Sequence, residues 1–288
     1  MQIGVSAYSF EKYRKATGCD FKEITRQAKA IGFDAIEYTE IKPENGGDPV
    51  AYAKELRELC DSLGLKIASY TVGANLLSQD IEKEMKRLFL CVDTAEALGV
   101  PCMRHDVCWE LPEGKTWYEM VPVLAERIRT ITEYAAKKGI RTCSENHGYI
   151  YQQPERVKTL IETVNNPNYG WLVDIGNFLC ADANPMDSVR IAAPYAVHAH
   201  IKDFLYRKVR PGEPTPEGFF KTANDNLLRG TIVGHGDVPV AECVRILRAS
   251  GYDKVFSIEF EGAEENIPAL ELGLAYLRKL AAEPIRNN

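Results

Sequence analysis

The chain has no CxxC pair, no block of five or more Lys or Arg, and no uninterrupted apolar run approaching 18 residues. Each absence removes a class. Its eight cysteines, Cys19, Cys60, Cys91, Cys102, Cys108, Cys143, Cys180 and Cys243, are scattered, several in apolar runs such as 88-LFLCV-92, so buried free thiols are expected. Without a long apolar run no membrane span is expected. The opening MQIGVSAYSF lacks the basic start, apolar core and small-residue cleavage pattern of a signal peptide, which makes the cytoplasm the expected compartment. The 35 Lys and Arg are outweighed by 41 Asp and Glu, a net charge of -6, so the long-range field repels polyanions and no nucleic-acid partner is expected. Phosphate-cradling glycine loops are missing too: no GxGxxG follows the first strand candidate, and GxxxxGK[ST] occurs nowhere.

What the chain does have is alternation. Strand-like 2-QIGVSAY-8 precedes an amphipathic stretch, 20-DFKEITRQAKAIG-32, whose Phe21, Ile24, Ala28 and Ile31 recur at helical spacing before a glycine stop. The same pairing repeats with strands at 34–38, 66–71, 100–105, 140–145, 171–175, 195–201 and 254–260, each followed by a helical pattern. Eight such units, with no Pro/Gly/Ser-rich linker between them, predict a single (β/α)8 TIM barrel over 1–288, with a doubly wound open sheet as the alternative. One stretch, about 203–238, is rich in proline, glycine and polar residues and is too long for a βα turn. It is expected as an excursion on the face where barrel loops build sites, either a substrate lid or wall or an oligomer contact.

Strand ends carry the chemistry. Glu145, Asp174, His200 and Glu259 stand at or near the ends of strands five, six, seven and eight, so a closed barrel brings them to its C-terminal mouth. Burying three carboxylates and an imidazole among apolar neighbours is costly unless they are hydrogen-bonded, paired or metal-bound, and the mixed O/N set suits one divalent ion with open positions for substrate oxygens. His198 shares the inward face with His200 at another depth and is expected to support the ligands by hydrogen bonding. His105, His147 and His235 are candidates for substrate contact at strand or loop ends. Lys202 and Arg207 are candidate cations for substrate oxygens or a phosphate. Glu37 either bonds a sugar hydroxyl or connects barrel strands, and Tyr8, Phe10 and Trp109 are candidate aromatic walls.

The strings GVSAYSF at 4–10, GFDAIEY at 32–38, SENHG at 144–148, VDIGN at 173–177, HAHIKD at 198–203, GHGDV at 234–238 and SIEFEG at 257–262 fall in order at successive strand ends. In that order they resemble the xylose-isomerase-like TIM-barrel superfamily across essentially the whole chain. The likeness is to its sugar-phosphate isomerase/epimerase group, related to ketose 3-epimerases and the endonuclease-IV family. The resemblance implies that Glu145, Asp174, His200 and Glu259 ligate one Mn2+, Mg2+, Co2+ or Zn2+. It also implies that Glu145 and Glu259 act as the acid/base pair on either face of a polyhydroxylated ketone, through an enediolate. The expected partner is therefore a carbohydrate or polyol small molecule, and a homodimer is a reasonable expectation for such barrels.

Two positions depart from the pattern. Asn177 stands where many related barrels have a histidine three residues after the strand-six aspartate, and Tyr151 stands where ketose epimerases have a further glutamate. Asn177 keeps hydrogen bonding to substrate but supplies no imidazole. With five histidines and Tyr70 at the strand-three end, a three-metal endonuclease is disfavoured. A sugar dehydratase or lyase and a non-catalytic carbohydrate sensor remain as alternatives to an isomerase or epimerase.

Overall fold

Short parallel strands that read as apolar runs need cover on both faces, and here the cover comes from closure. Residues 1–43, 46–210 and 212–282 are described in the computed structural model; positions 44, 45, 211 and 283–288, one of them within the 203–238 stretch, lie outside the described residues. Seven parallel strands open the barrel: β1 (Gln2–Ser6), β2 (Ala35–Thr39), β3 (Lys66–Val72), β4 (Cys102–His105), β5 (Arg141–Glu145), β6 (Tyr169–Asp174) and β7 (Ala196–Ile201). Three strands of a separate sheet follow, β8 (Asp203–Arg207), β9 (Phe220–Lys221) and β10 (Leu227–Thr231), before the eighth barrel strand, β11 (Val255–Ile258). The hydrogen-bonded order β1-β11-β7-β6-β5-β4-β3-β2 closes on itself, so the fold is a (β/α)8 barrel and not an open sheet.

The helices form where amphipathic periodicity meets a start and a stop. In α2 (Phe21–Ile31) the Asp20 side chain accepts the Glu23 N–H, and Phe21, Ile24, Thr25 and Ala28 turn inward. In α5 (Trp117–Ala136) Thr116 and Glu119 satisfy each other's backbone N–H in a capping box. Between them α3 (Pro49–Leu63) and α4 (Ile81–Leu98) end on Gly64 and Gly99, both left-handed. All eight cysteines are free, seven of them buried, and no helix among the described residues is long and apolar enough to cross a membrane.

The 203–238 stretch is more regular than its composition implies. β10 pairs antiparallel with both β8 and β9. The turn that leads out of β10 is gathered around Asp203, whose carboxylate accepts the N–H groups of Gly234, Gly236 and Val238. A Cβ at Gly236 would stand 2.2 Å from that carboxylate, so only glycine fits there.

Candidate metal centre

Strand alternation decides what reaches the barrel mouth. Parallel pairing of β6 with β7 sets Asp174 opposite His200, and β5 with β6 sets Glu145 opposite Leu172. Glu145, Asp174, His200 and, just past β11, Glu259 each present one N or O atom such that all four lie within 4.8 Å of one another, and all four residues are buried. His200 Nδ1 is 3.5 Å from Glu259 Oε1 and 3.8 Å from both Glu145 Oε1 and Asp174 Oδ2.

The details fit a divalent cation. His200 Nε2 lies 2.9 Å from Glu37 Oε1; the carboxylate can only accept, so Nε2 carries a proton and Nδ1 is the nitrogen that a cation would take in place of a proton. That Nδ1 and Asp174 Oδ2 are buried without a hydrogen-bond partner. Two orphaned acceptors facing two further carboxylates are the donor set of a hard or borderline cation, with the Glu37 carboxylate orienting the imidazole from behind. Asp174 divides its labour: Oδ1 accepts the N–H groups of Gly176 and Asn177 and so shapes the turn after β6, while Oδ2 is left for the centre.

A second cluster, Glu37 with His198 and His200, has donor atoms as close together. Its contacts are hydrogen bonds of 2.7 to 3.0 Å from both imidazoles to one carboxylate, which already satisfy Glu37. Glu37 therefore ties β2 to β7 across the barrel and does not line the cleft at its mouth. Against burial, His200 and His198 hold its carboxyl well below the usual range.

Cations brace the ligands. Arg104 Nε lies 2.7 Å from Glu145 Oε2, with Nη2 on the same oxygen, while Asn177 Nδ2 donates to Oε1 at 2.9 Å. Lys202 Nζ is 2.5 Å from Glu259 Oε2, 3.0 Å from Glu261 Oε2 and 3.6 Å from Asp174 Oδ2. Against burial, Arg104 and then His200 hold Glu145 well below the carboxylate range, and Lys202 and His200 do the same for Glu259. Asp174 goes the other way: burial, aided by Glu145 and Glu259 and opposed by Lys202, pushes it up to about 7.

The mouth above these groups is a cleft of about 350 Å³ lined by Tyr8, Arg104, Glu145, His147, Lys202 and Glu259 among others. A second hollow of about 240 Å³ shares His147, Lys202 and Glu261 with it and adds Asn177, Phe204 and Phe220. The β8–β10 sheet thus supplies part of the wall. His147 Nδ1 lies 3.1 Å from Asp106 Oδ1, and the half-exposed Trp109 meets the His147 ring edge-on at the rim.

Four expected substrate contacts are elsewhere. Phe10 is wholly buried in the apolar core, because its helical turn after β1 packs inward. His105 faces outward from β4, stacks on Tyr169 and bonds the Asp106 carbonyl; its neighbour Arg104 takes the inward position. Arg207 pairs with Glu213 at the surface. His235 is exposed on the turn after β10 and lines neither hollow. Conversely Arg104, Asp106, Asn146 and Glu261 were not singled out from sequence. Arg104 and Glu261 each stand two residues from an inward position or share its parity, which was the available signal. Asn146, which ties β5 to β6 by accepting from Trp171 Nε1 and the Asp174 N–H, left none.

No curated protein sequence matches the chain. Solved structures do. The protein described as the probable 3-DHS dehydratase AsbF of Bacillus anthracis superposes with a TM-score of 0.74 at 18% identity, covering 96% of this chain and 99% of that one. A xylose isomerase-like TIM barrel protein from Mycobacterium smegmatis in complex with magnesium gives 0.71 at 17%, covering 92% and 89%. The 3-keto-D-glucoside 4-epimerase of E. coli gives 0.70 at 17%, covering 97% and 99%. At these identities the likeness is one of fold. The family model described as xylose isomerase-like TIM barrel matches residues 25–280, and with the closed barrel and its buried carboxylate–histidine cluster this chain belongs to that family.

Proposed function

We propose that the chain is a divalent-metal-dependent isomerase or epimerase that acts on a polyhydroxylated carbonyl compound by removing the proton next to the carbonyl to give an enediolate. The observation that carries this reading is the pair of buried atoms without a hydrogen bond, His200 Nδ1 and Asp174 Oδ2, which cluster with oxygens of Glu145 and Glu259. A divalent cation held by Glu145, Asp174, His200 and Glu259 supplies Lewis-acid stabilisation of the negative charge that develops on the substrate oxygens. The side chains do the rest. Glu145 and Glu259 serve as the acid/base pair from β5 and the end of β11; Glu37, bonded to His200, holds the imidazole in one tautomer; Lys202, Asn177 and Tyr8 contact hydroxyl and carbonyl oxygens; Trp109 closes the rim.

The charge of the cleft favours a neutral substrate over a phosphorylated one. Its cations, Arg104 and Lys202, are already engaged by carboxylates, and Glu40 and Glu261 add negative charge. A phosphate would find no free cation among these lining groups.

Dehydration is the second reading, and one feature favours it. Both Glu145 oxygens are clamped, by Asn177 and by Arg104, whereas the His147 ring lines the cleft with one side-chain hydrogen bond, to Asp106. A single base on one side suits removal of the proton followed by loss of a β-hydroxyl as water, and a dehydratase as well as an epimerase stands among the similar structures.

Proton NMR in deuterated water with Mg2+ and a panel of ketoses and cyclic polyhydroxy ketones tests both. Deuterium entering next to the carbonyl together with a new epimer or aldose is the expected result, suppressed about 100-fold or more in Glu259→Gln. An alkene resonance and loss of water would replace it with the dehydratase. Binding without exchange under every divalent ion would leave a carbohydrate sensor, and unchanged turnover in Glu259→Gln would remove that residue's acid/base role.

A further inference from the structure

The opposite end of the barrel carries a second cavity. It holds about 380 Å³ and opens at the N-terminal ends of the strands, away from the metal centre. That volume falls within the roughly 300–1,000 Å³ of small-molecule sites. Ala68, Cys102, Val197 and Val255 give it apolar walls. Lys66, Arg141 and Lys254 also line it, against one acidic lining residue, Asp253.

Among the described residues these cations are not spent on carboxylates. Arg141 Nη2 donates to the Pro167 carbonyl and Lys254 Nζ to the Val197 carbonyl, while Arg141 Nε is buried without a partner. The cavity also reaches His198, which is 2% exposed. His198 Nε2 is 2.7 Å from the Glu37 carboxylate, so Nδ1 is the ring nitrogen left for the cavity. Nδ1 makes no hydrogen bond among the described residues, so a polar group of an occupant can reach it from the cavity. A packed barrel floor would show side chains filling this space; here a cationic rim that includes the buried, unpartnered Arg141 Nε, apolar walls and an imidazole face one hollow.

We propose that this N-terminal cavity is a second ligand site, selective for a small hydroxy-acid with an apolar body. The carboxylate lies among Lys66, Arg141 and Lys254, the body between the apolar walls, and a hydroxyl, which can donate or accept, hydrogen-bonds to His198 Nδ1. Each demand is separable. An apolar acid without the hydroxyl leaves Nδ1 unsatisfied, and a phenol without the carboxylate leaves the rim cations unsatisfied.

Calorimetric titration of the Mg2+-loaded protein with 6-hydroxy-2-naphthoate tests this. Saturable binding at one site with a Kd below about 1 mM is expected. 2-Naphthoate and 2-naphthol should each bind about fivefold or more weakly. Lys66→Glu with Lys254→Glu, both exposed positions, should weaken binding about tenfold or more. Ala68→Phe should abolish it by filling the cavity, and the surface double variant decides the matter where that core variant fails to fold. Binding that does not saturate by about 5 mM, or equal affinity in the charge-reversed protein, would overturn the proposal.

Discussion

One step along β4 separates a site residue from a core residue. Arg104 reaches Glu145 across the mouth while His105 faces the helices, its Nδ1 bonded to the Asp106 carbonyl and its Nε2 buried without a partner. Burial lowers the His105 pKa. A histidine that must be neutral when folded binds its proton mainly in the unfolded chain, so its contribution is present above the unfolded value of about 6.5 and is lost as pH falls toward the folded one. His105→Leu should therefore flatten the fall of the urea midpoint between about pH 7 and pH 5 relative to the parent; an unchanged slope would show that the imidazole titrates equally in both states. Arg104 works in the opposite sense. Arg104→Met leaves the buried Glu145 charge uncompensated, a loss of about 3–5 kcal/mol in the metal-free protein. Because a divalent cation replaces the missing positive charge, Mn2+ should raise the variant's urea midpoint more than the parent's. The sequence nominates His105 for its place at the end of strand four; strand parity, set by pairing of Arg104 with Thr71 and Cys143, gives the inward position to Arg104 instead.

Elements were more legible than side-chain directions. Each barrel strand announced itself by an apolar run, and the stops of α3 and α4 by glycine, because a left-handed residue after the last turn needs no Cβ. Gly99 has φ near 72° and a Cβ there would meet the Arg57 guanidinium at 2.9 Å. Gly99→Ala should cost about 1–3 kcal/mol by chemical denaturation, with metal affinity unchanged. The β8–β10 sheet was not legible. Its strands are short, two residues in β9, and their register rests on a buried aspartate collecting distant backbone N–H groups, which periodicity does not report. Asp203→Asn loses the charge that those groups share. It should loosen this sheet first, seen as faster amide hydrogen exchange at residues 227–238 while the barrel strands stay protected.

At the scale of the molecule, eight repeated units imply closure, and closure is what turns four distant residues into a cluster. Glu145, Asp174, His200 and Glu259 could be nominated because strand ends of one barrel meet at one mouth. The braces around them were legible only in part: Lys202 and Glu37 stand out in the sequence, Glu37 as a residue that bonds a hydroxyl or connects strands, whereas Arg104, which braces Glu145 from the adjacent β4, does not, and only the closed geometry fixes the distances. The same geometry distinguishes the two acidic–histidine clusters, one with orphaned acceptors and one already satisfied by hydrogen bonds. Anomalous diffraction from crystals grown with Mn2+ tests this distinction most directly. One peak is expected, about 2.0–2.3 Å from Glu145, Asp174, His200 Nδ1 and Glu259, and absent in Asp174→Asn. A peak between Glu37, His198 and His200, or none at the barrel mouth, would contradict it.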